Sequence, residues 1–470
     1  MNLIQFLILC FSLTLQIGNA QKIEKYTNSA AKQMFQLAPN GKTIAYIETI
    51  GSEKCIMLHY LRSDSRATLI NLPNTLEYFY WKNDQIIIYA VKVNNESYLY
   101  ALFVYENNFL NIPFSNLATI IDELPDNDSL VMLHYTHHPV YDNSVLYYNV
   151  YNTNTSLLYK NKNQFDRWKT NTEHQLIMAS KKIENHTSYY FRSNHQQEFI
   201  PRFAIHDSIQ FIPVSFSSKS KSIRAISDLN SDKLRIIEYA INNGNYAILK
   251  QDSLYDIVEF SYDVRTQIIS TFKVYKLKKI NDFIDSTRKK IWNKVSLFAQ
   301  NENLFFMGVD EFEIMYLLKT SPSNNPGTYY LYNKRKDSVY LYHPMNPFLN
   351  DSNTSKVITY RFTYDNNQIL NYYYKPIIRF NDTLLIYYHH TGRRIGCEYN
   401  AIIQAKCALG YQILIINGPG TTGLGKAYQF THLSKIAIQK IIEHSANYFN
   451  PRTKNKILVD KNLVPLFQSK

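Results

Sequence analysis

Two groups of histidines are the first residues in this sequence whose types could do chemistry. His134, His137 and His138 stand close together, but no acidic residue or cysteine is closely paired with them. A zinc site needs three or four converging ligands with supporting hydrogen bonds. We therefore expect loop histidines there, and we predict no metal and no other cofactor. His389 and His390 follow a buried apolar run, and they could be ligands or ordinary loop residues.

A glycine-rich loop over residues 417–425 is the second candidate. It follows an apolar strand and precedes a helix, as phosphate-binding loops do. It lacks the G-x-x-x-x-G-K-[ST] order in which backbone N–H groups and a lysine hold phosphates. A nucleotide site is therefore not predicted. The loop residues of interest are Asn417, Gly420, Gly423 and Gly425.

The sequence before about residue 350 reads as short strands separated by breaks rich in Asn, Asp, Ser and Pro. Faint repeats place an aromatic or apolar residue before a polar turn and a strand after it. Residues 28–350 are predicted to form a β-propeller of about six to eight blades, because a sandwich cannot easily hold so many strands. Residues 281–298 are predicted to be a helix. The predicted strands are 43–48, 55–60, 76–81, 85–93, 97–105, 130–135, 144–151, 175–180, 187–192, 223–226, 234–239, 257–262, 266–275, 304–307, 313–320, 328–333 and 338–342.

The pattern changes after residue 351, where strands alternate with helices. This alternation predicts a parallel α/β sheet in residues 356–470. The predicted fold class is therefore mostly β, with an N-terminal β-propeller followed by a partial α/β-hydrolase domain. The predicted strands are 357–362, 369–374, 384–388, 413–416 and 456–459, and the predicted helices are 398–409 and 433–448.

Four stretches together resemble the prolyl oligopeptidase family, specifically the dipeptidyl-peptidase and acylaminoacyl-peptidase type. They are residues 37–42, 227–234, 326–332 and 410–425, of which the last is the most specific. The resemblance implies a propeller joined to an α/β-hydrolase domain. It also implies that short peptides are the substrates, cleaved by a Ser-Asp-His triad.

Two loops depart from the family pattern. Where the family has a His-Gly-Gly-Pro loop that helps to stabilise an oxyanion, this chain has His389, His390, a threonine and Gly392. The resemblance implies that this is a remnant oxyanion loop. The glycine-rich loop corresponds to a family loop with an arginine where Pro419 stands here, which removes a charge and a backbone donor. It is accordingly a remnant glycine-rich loop.

The sequence contains no nucleophile elbow. In α/β-hydrolases the serine lies in G-x-S-x-G, because glycines on both sides permit the sharp turn. Only Gly392 and Gly396 are four positions apart, and Arg394 lies between them. The strand at 456–459, after which the elbow and then the triad Asp and His are expected, is followed by eleven residues without such a motif. We expect a peptidase that is inactive alone, either split, in which case a second polypeptide supplies the rest, or decayed. The alternative is a non-catalytic propeller that binds peptides or proteins.

The charge distribution, the N-terminal residues and the cysteines indicate which partners and which cellular compartment to expect. The formal net charge of +13 is dispersed along the chain, so no nucleic-acid partner is predicted. Residues 1–20 resemble a signal peptide cleaved after Ala20, which predicts a secreted or periplasmic protein without a membrane span. Cys397 and Cys407 bracket a predicted helix, which would separate them by about 15 Å. A disulfide between them is therefore not expected.

Overall fold

The computed structural model describes most of the chain. The predicted signal peptide, His137 and His138 lie outside the described residues. The described residues are 26, 32–72, 75–94, 96–105, 108–116, 118–136, 143–217, 221–263, 268–276, 279–283, 285–300, 303–376, 382–449 and 455–460.

Seven antiparallel sheets follow one another between residues 32 and 344 of the described chain. Each contains four strands except the sixth, which contains three. The strands are, sheet by sheet, β1 (Lys32–Leu37), β2 (Thr43–Ile50), β3 (Glu53–Tyr60) and β4 (Ser65–Leu72); β5 (Thr75–Asn83), β6 (Ile86–Val93), β7 (Glu96–Tyr105) and β8 (Asn108–Asn116); β9 (Ala118–Asp122), β10 (Leu130–Tyr135), β11 (Ser144–Asn149) and β12 (Thr155–Lys160); β13 (Arg167–Thr170), β14 (Leu176–Ile183), β15 (His186–Phe191) and β16 (Ile200–His206); β17 (Phe211–Ser217), β18 (Ser222–Ser227), β19 (Arg235–Ala240) and β20 (Tyr246–Lys250); β21 (Ile257–Asp263), β22 (Ile268–Tyr275) and β23 (Lys279–Phe283); β24 (Leu304–Val309), β25 (Met315–Thr320), β26 (Thr328–Asn333) and β27 (Ser338–Pro344).

The seven sheets close into a ring, which confirms the predicted propeller. The first strands of neighbouring sheets contact each other, as β13 does with β9 and β17. The ring closes where β1 contacts β24 and β25. There Phe35 and Tyr46 pack in one core with Leu317 and Tyr329 of the seventh sheet. No strand of the first sheet joins the seventh sheet in the described chain, so side-chain packing closes the ring together with a hydrogen bond from the Glu311 N–H to the Pro39 carbonyl at 2.8 Å.

The predicted helix at 281–298 is only partly correct. Residues 281–283 belong to β23, and the helix α1 spans Ser286–Phe298. Asp285 is the reason for the later start, because its side chain accepts hydrogen bonds from the backbone N–H groups of Thr287 and Arg288. An aspartate in this N-cap position satisfies donors that have no partner inside the helix.

The last sheet is mixed, whereas the sequence predicted a parallel one. Its order is β28-β29-β31-β30-β32. Only β30, β31 and β32 run parallel, and β28 and β29 are antiparallel because a tight turn joins them. The elements are β28 (Val357–Tyr364), β29 (Asn367–Tyr374), β30 (Thr383–His389), α2 (Ala401–Ala408), β31 (Gln412–Asn417), α3 (Lys426–Phe430), α4 (Lys435–Phe449) and β32 (Asn455–Leu458).

Helices cover both faces of this sheet. Ile403 and Cys407 of α2 pack in one core on the first face, and Ile441 and Ala446 of α4 pack in another core on the second face. Strands buried on both faces are apolar along their length, which is the pattern from which β30 and β31 were predicted. The helix α2 starts three residues later than predicted, since the Asn400 side chain accepts hydrogen bonds from two N–H groups of its first turn. Cys397 and Cys407 are both buried, and no disulfide joins them in the described chain.

Two neighbouring tyrosines of β29 should respond oppositely to loss of their hydroxyl groups. The Tyr373 hydroxyl donates to Gln412 Oε1 at 2.7 Å, whereas the buried Tyr374 hydroxyl has no hydrogen-bond partner among the described residues. An unsatisfied buried hydroxyl costs about 1–3 kcal/mol. Tyr374→Phe should therefore raise the free energy of unfolding by about 1 kcal/mol and Tyr373→Phe lower it by about 1 kcal/mol, measured by urea denaturation. Equal effects of the two substitutions would contradict this account.

Candidate functional site

The carboxyl ends of the parallel strands β30 and β31 meet at one edge of the last sheet. His389 ends β30 and pairs in register with Asn417, which ends β31. This edge is where open α/β sheets carry their functional loops. Residues 390–396 and 418–425 leave the sheet here, and a short parallel bridge joins them. The structure thus brings together the two loops that the sequence singled out.

Asn417 holds residues 389–396, the histidine loop, in place. Its side chain is fully buried. Its Oδ1 accepts from the Ile395 N–H at 2.9 Å, and its Nδ2 donates to the Ile395 carbonyl at 3.1 Å. One amide therefore satisfies both backbone groups of a residue 22 positions earlier in the sequence. Asn417 is a positioning residue, and these bonds direct its amide toward the protein.

His389 is half-buried, and its own loop engages both ring nitrogens. Nε2 lies 2.8 Å from the Arg393 carbonyl oxygen, and Nδ1 lies 3.2 Å from the Tyr387 hydroxyl. Because a carbonyl can only accept, Nε2 carries the proton in this contact. Burial lowers the pKa of His389, while the Arg393 carbonyl acts in the opposite direction. A neutral His389 ring therefore tethers the loop.

His390 is exposed, and its backbone approaches the glycine-rich loop closely. The ring stacks on Tyr388 with 5.6 Å between centroids. A Cβ atom on Gly420 would lie 1.8 Å from the His390 carbonyl oxygen, and the φ angle of Gly420 is +99°. Only glycine fits this position without displacement of a loop. The two loops are therefore packed backbone against backbone.

Asp256, which precedes β21 in the propeller, binds the glycine-rich loop through hydrogen bonds. This carboxylate is 4% exposed. Its Oδ2 accepts from the N–H groups of Gly423 at 3.1 Å and Gly425 at 3.0 Å. Its Oδ1 accepts from the Leu234 N–H at 2.9 Å within the propeller. Three backbone donors satisfy one buried charge, and they tie the two parts of the chain together.

The turn between β18 and β19 makes a second contact between the propeller and the end of the glycine-rich loop. Asp232 Oδ1 accepts from the Ala427 N–H at 2.7 Å, at the start of α3. This bond and nearby lysines hold the pKa of Asp232 below its usual value, although burial alone would raise it. Lys426 Nζ lies 3.2 Å from Asp228 Oδ1. Burial of Asp228 outweighs the lysine and raises the pKa of that carboxyl. The sequence identified residues 227–234 only as a propeller segment.

A third contact ties the histidine loop to the sixth sheet. Arg394, the residue between the two glycines that are four apart, is buried and donates to the Lys276 carbonyl oxygen. Arginine in this place fixes the loop against the propeller. It therefore has a structural role, and the one pair of glycines with the spacing of G-x-S-x-G encloses an arginine in place of the serine.

A cleft of about 370 Å³ opens at this junction, beside α3. Lys233 and Tyr255 line it from the propeller. Arg361 and Gln368 line it from the last sheet, and Tyr428 lines it from α3. Arg361 Nη1 donates to the Tyr255 hydroxyl at 2.8 Å across the junction. The cleft is the space that the two parts of the chain enclose together.

The remaining histidine prediction was of loop residues, but His134 lies within β10 rather than in a loop. His134 is buried, with Nε2 3.1 Å from Asn143 Oδ1 and its ring against Trp168. Burial lowers the pKa of His134. Within the described ranges, no group of three His, Cys, Asp or Glu side chains could hold a metal ion. None of the helices in the described part of the chain combines the length and apolar character that crossing a bilayer requires.

The fold is similar to that of solved peptidases. A prolyl endopeptidase structure superposes with a TM-score of 0.63 at 12% identity, over 94% of this chain and 70% of that one. The acylaminoacyl peptidase of Pyrococcus horikoshii gives 0.62 at 12% identity, over 93% and 73%. Prolyl oligopeptidase B of Galerina marginata gives 0.63 at 11% identity, over 93% and 68%. Neither protein-family models nor curated proteins match the sequence.

These neighbours define the class of fold, a β-propeller joined to an α/β-hydrolase sheet. Within this class, the arrangement of the two parts is similar to that in the prolyl oligopeptidase family. The resemblance seen in the sequence is therefore confirmed for the fold. Sequence reasoning found both loops of the site. It missed the roles of Asp232, which lies in a stretch assigned only to the propeller, and of Asp256, which lies in no motif, since each acts on residues more than 160 positions away.

Proposed function

We propose that this chain supplies the propeller and the first five hydrolase strands of a peptidase that acts on short peptides. The observation that carries the proposal is the strand order β28-β29-β31-β30-β32, with the carboxyl ends of the parallel strands facing the propeller. In such sheets reactions occur beyond these ends. Substrate would lie between the propeller and residues 389–396.

Catalysis needs groups that these 470 residues do not contain. No G-x-S-x-G sequence occurs in them, and without a nucleophile only weak residual acceleration remains. We propose that the chain is inactive by itself and that a second polypeptide carrying the serine, aspartate and histidine restores activity. This corresponds to a split enzyme, and a decayed enzyme would show no restoration.

Labelling with a fluorophosphonate tests the inactive state. The purified chain is treated with the reagent beside an active serine peptidase, and labelled serine is counted by mass spectrometry. We expect no stoichiometric labelling and no turnover of dipeptidyl or acyl-peptide chromogenic substrates. Labelling of one serine in each chain would refute the proposal.

A non-catalytic peptide-binding module is the second candidate. The contacts of His389, Asn417 and Arg394 favour it, because each of these side chains is bonded within the protein. Isothermal titration with short peptides distinguishes the candidates. Binding without turnover, unchanged by any added hydrolase fragment, supports the module.

The boundaries of the two parts of the chain and the removal of a signal peptide complete the proposed function. We assign residues 28–350 to the propeller and 356–470 to the hydrolase part, and we propose export with cleavage after Ala20. N-terminal sequencing of the exported protein should begin at Gln21. A mature protein that begins at Met1 would contradict export.

A further inference from the structure

The propeller carries a cavity of about 560 Å³ at the end that faces away from the last sheet. Propeller residues that contact the last sheet, such as Asp232 and Asp256, follow the second or fourth strand of a sheet. The cavity is lined by the connections β13–β14, β15–β16, β17–β18 and β19–β20, which follow first or third strands. Antiparallel strands alternate in direction, so the two sets of connections lie at opposite ends of the propeller.

The floor of this cavity is apolar. Ile177, Phe191 and Ile241 are buried there, and Phe216 forms a half-buried wall. Ile200 adds an apolar side chain that is 46% exposed. Ligand pockets typically enclose about 300–1,000 Å³ and combine apolar walls with a few polar groups. The volume of the cavity and its apolar floor therefore suit a large apolar side chain of a ligand.

Cations surround this apolar floor, and the first of them is buried. Arg192 is 5% exposed, and its guanidinium donates to the carbonyl oxygens of Leu176 and His195 at 2.8 and 3.2 Å. It also lies over the rings of Tyr159 and Phe199. Among the described residues, no carboxylate oxygen lies within 4.0 Å of it. Buried charges are usually paired, and the Glu198 carboxylate stabilises this one only from beyond that distance.

Arg202 and Lys221 add two exposed cations at the mouth of the cavity. In the described part of the chain, neither has a carboxylate at ion-pair distance. Two acids also line the cavity. Their oxygens accept hydrogen bonds from the protein, Glu173 from Asn171 at 3.4 Å and Glu198 from Tyr159 at 3.3 Å. The cations outnumber the acids three to two, which leaves a net positive charge around the apolar floor.

We propose that this cavity, the distal pocket, binds the C-terminal residue of a peptide that ends in a large apolar side chain. The terminal carboxylate pairs with Arg202 and Lys221, and the side chain packs on Phe191 and Phe216. A carboxylate directly beside an apolar group is the arrangement that the cations and the floor require together. Because the pocket lies at the opposite end from residues 389–396, it is independent of the proposed function.

Fluorescence anisotropy of a labelled peptide tests the distal pocket in the full chain. The probe is fluorescein-Gly-Ser-Gly-Ser-Gly-Phe with either a free C-terminal carboxylate or a C-terminal amide. Loss of a charge-assisted pair weakens binding by about tenfold or more. We expect the acid to bind at least about tenfold more tightly than the amide. The double variant Arg202→Ala/Lys221→Ala should abolish that difference.

A matched control removes two charges elsewhere. Lys289→Ala/Lys290→Ala on the exposed face of α1 changes the net charge equally and should leave the affinity unchanged. Phe216→Ala should weaken the acid and the amide alike, since it alters only the apolar floor. Equal affinity for the acid and the amide, or equal losses in the two double variants, would overturn the proposal. The latter result would indicate nonspecific attraction to a cationic protein.

Discussion

Replacement of Asp256 by alanine should separate the glycine-rich loop from the propeller. The substitution leaves three backbone N–H groups without their acceptor, two of them in the loop. Each unsatisfied buried donor costs about 1–3 kcal/mol, so we expect the free energy of unfolding to fall by about 3 kcal/mol or more. The amides of Gly423 and Gly425 should lose protection in hydrogen exchange, which measures the contact directly.

Asp310→Ala is the matched control for this prediction. Asp310 is also a buried carboxylate, and its Oδ1 accepts from the N–H groups of Ile314 and Met315 at 2.6 and 3.0 Å. All of its bonds lie inside the seventh sheet. Its loss should reduce stability without altering exchange in the glycine-rich loop. If Asp256→Ala leaves that exchange unchanged as well, Asp256 does not hold the junction.

Replacement of Gly420 by alanine should disrupt the packing of the two loops. The new Cβ would lie 1.8 Å from the His390 carbonyl oxygen, and backbone rather than a flexible side chain would have to move. We expect a loss of about 3 kcal/mol or more in the free energy of unfolding, because positive φ and a backbone clash act together. Thermal unfolding followed by circular dichroism measures it.

Gly392→Ala separates the two causes. Gly392 also has a positive φ of +69°, but a Cβ there would meet no atom within 4 Å. Its replacement should therefore cost only the backbone term, about 1 kcal/mol. The difference between the two variants measures the close approach of the loops. Equal losses would mean that the loops are not packed as described.

These two contacts matter because they set the geometry of the candidate site. The glycine-rich loop is bonded to residues 389–396 on one side, where the Gly418 N–H donates to the His389 carbonyl and the Thr422 N–H to the Gly392 carbonyl. On the other side it is bonded to the propeller. Residues 389–396 in turn depend on Asn417 and Arg394. Under the proposed function, a peptide entering the junction would meet loops whose backbone positions are fixed before binding, which lowers the ordering cost of recognition.

The sequence by itself determined the middle strands of the propeller. All seventeen predicted strands occur, among them β10 and β18, because strands that lie inside a sheet are apolar over most of their length. The strands that were missed are mainly first or fourth strands. β16 and β20 have hardly any buried side chains, so they lack the alternation that identifies a strand.

Only the tertiary structure decided how the site is held. The two loops carried recognisable residues, and the pattern of apolar runs located the strands that present them. The carboxylate that anchors the loop is 167 residues from Gly423. A hydrogen bond between an aspartate and a distant backbone N–H has no sequence signature, since every residue except proline carries that donor. Chain folding alone therefore selected Asp256 from the other acids of the propeller.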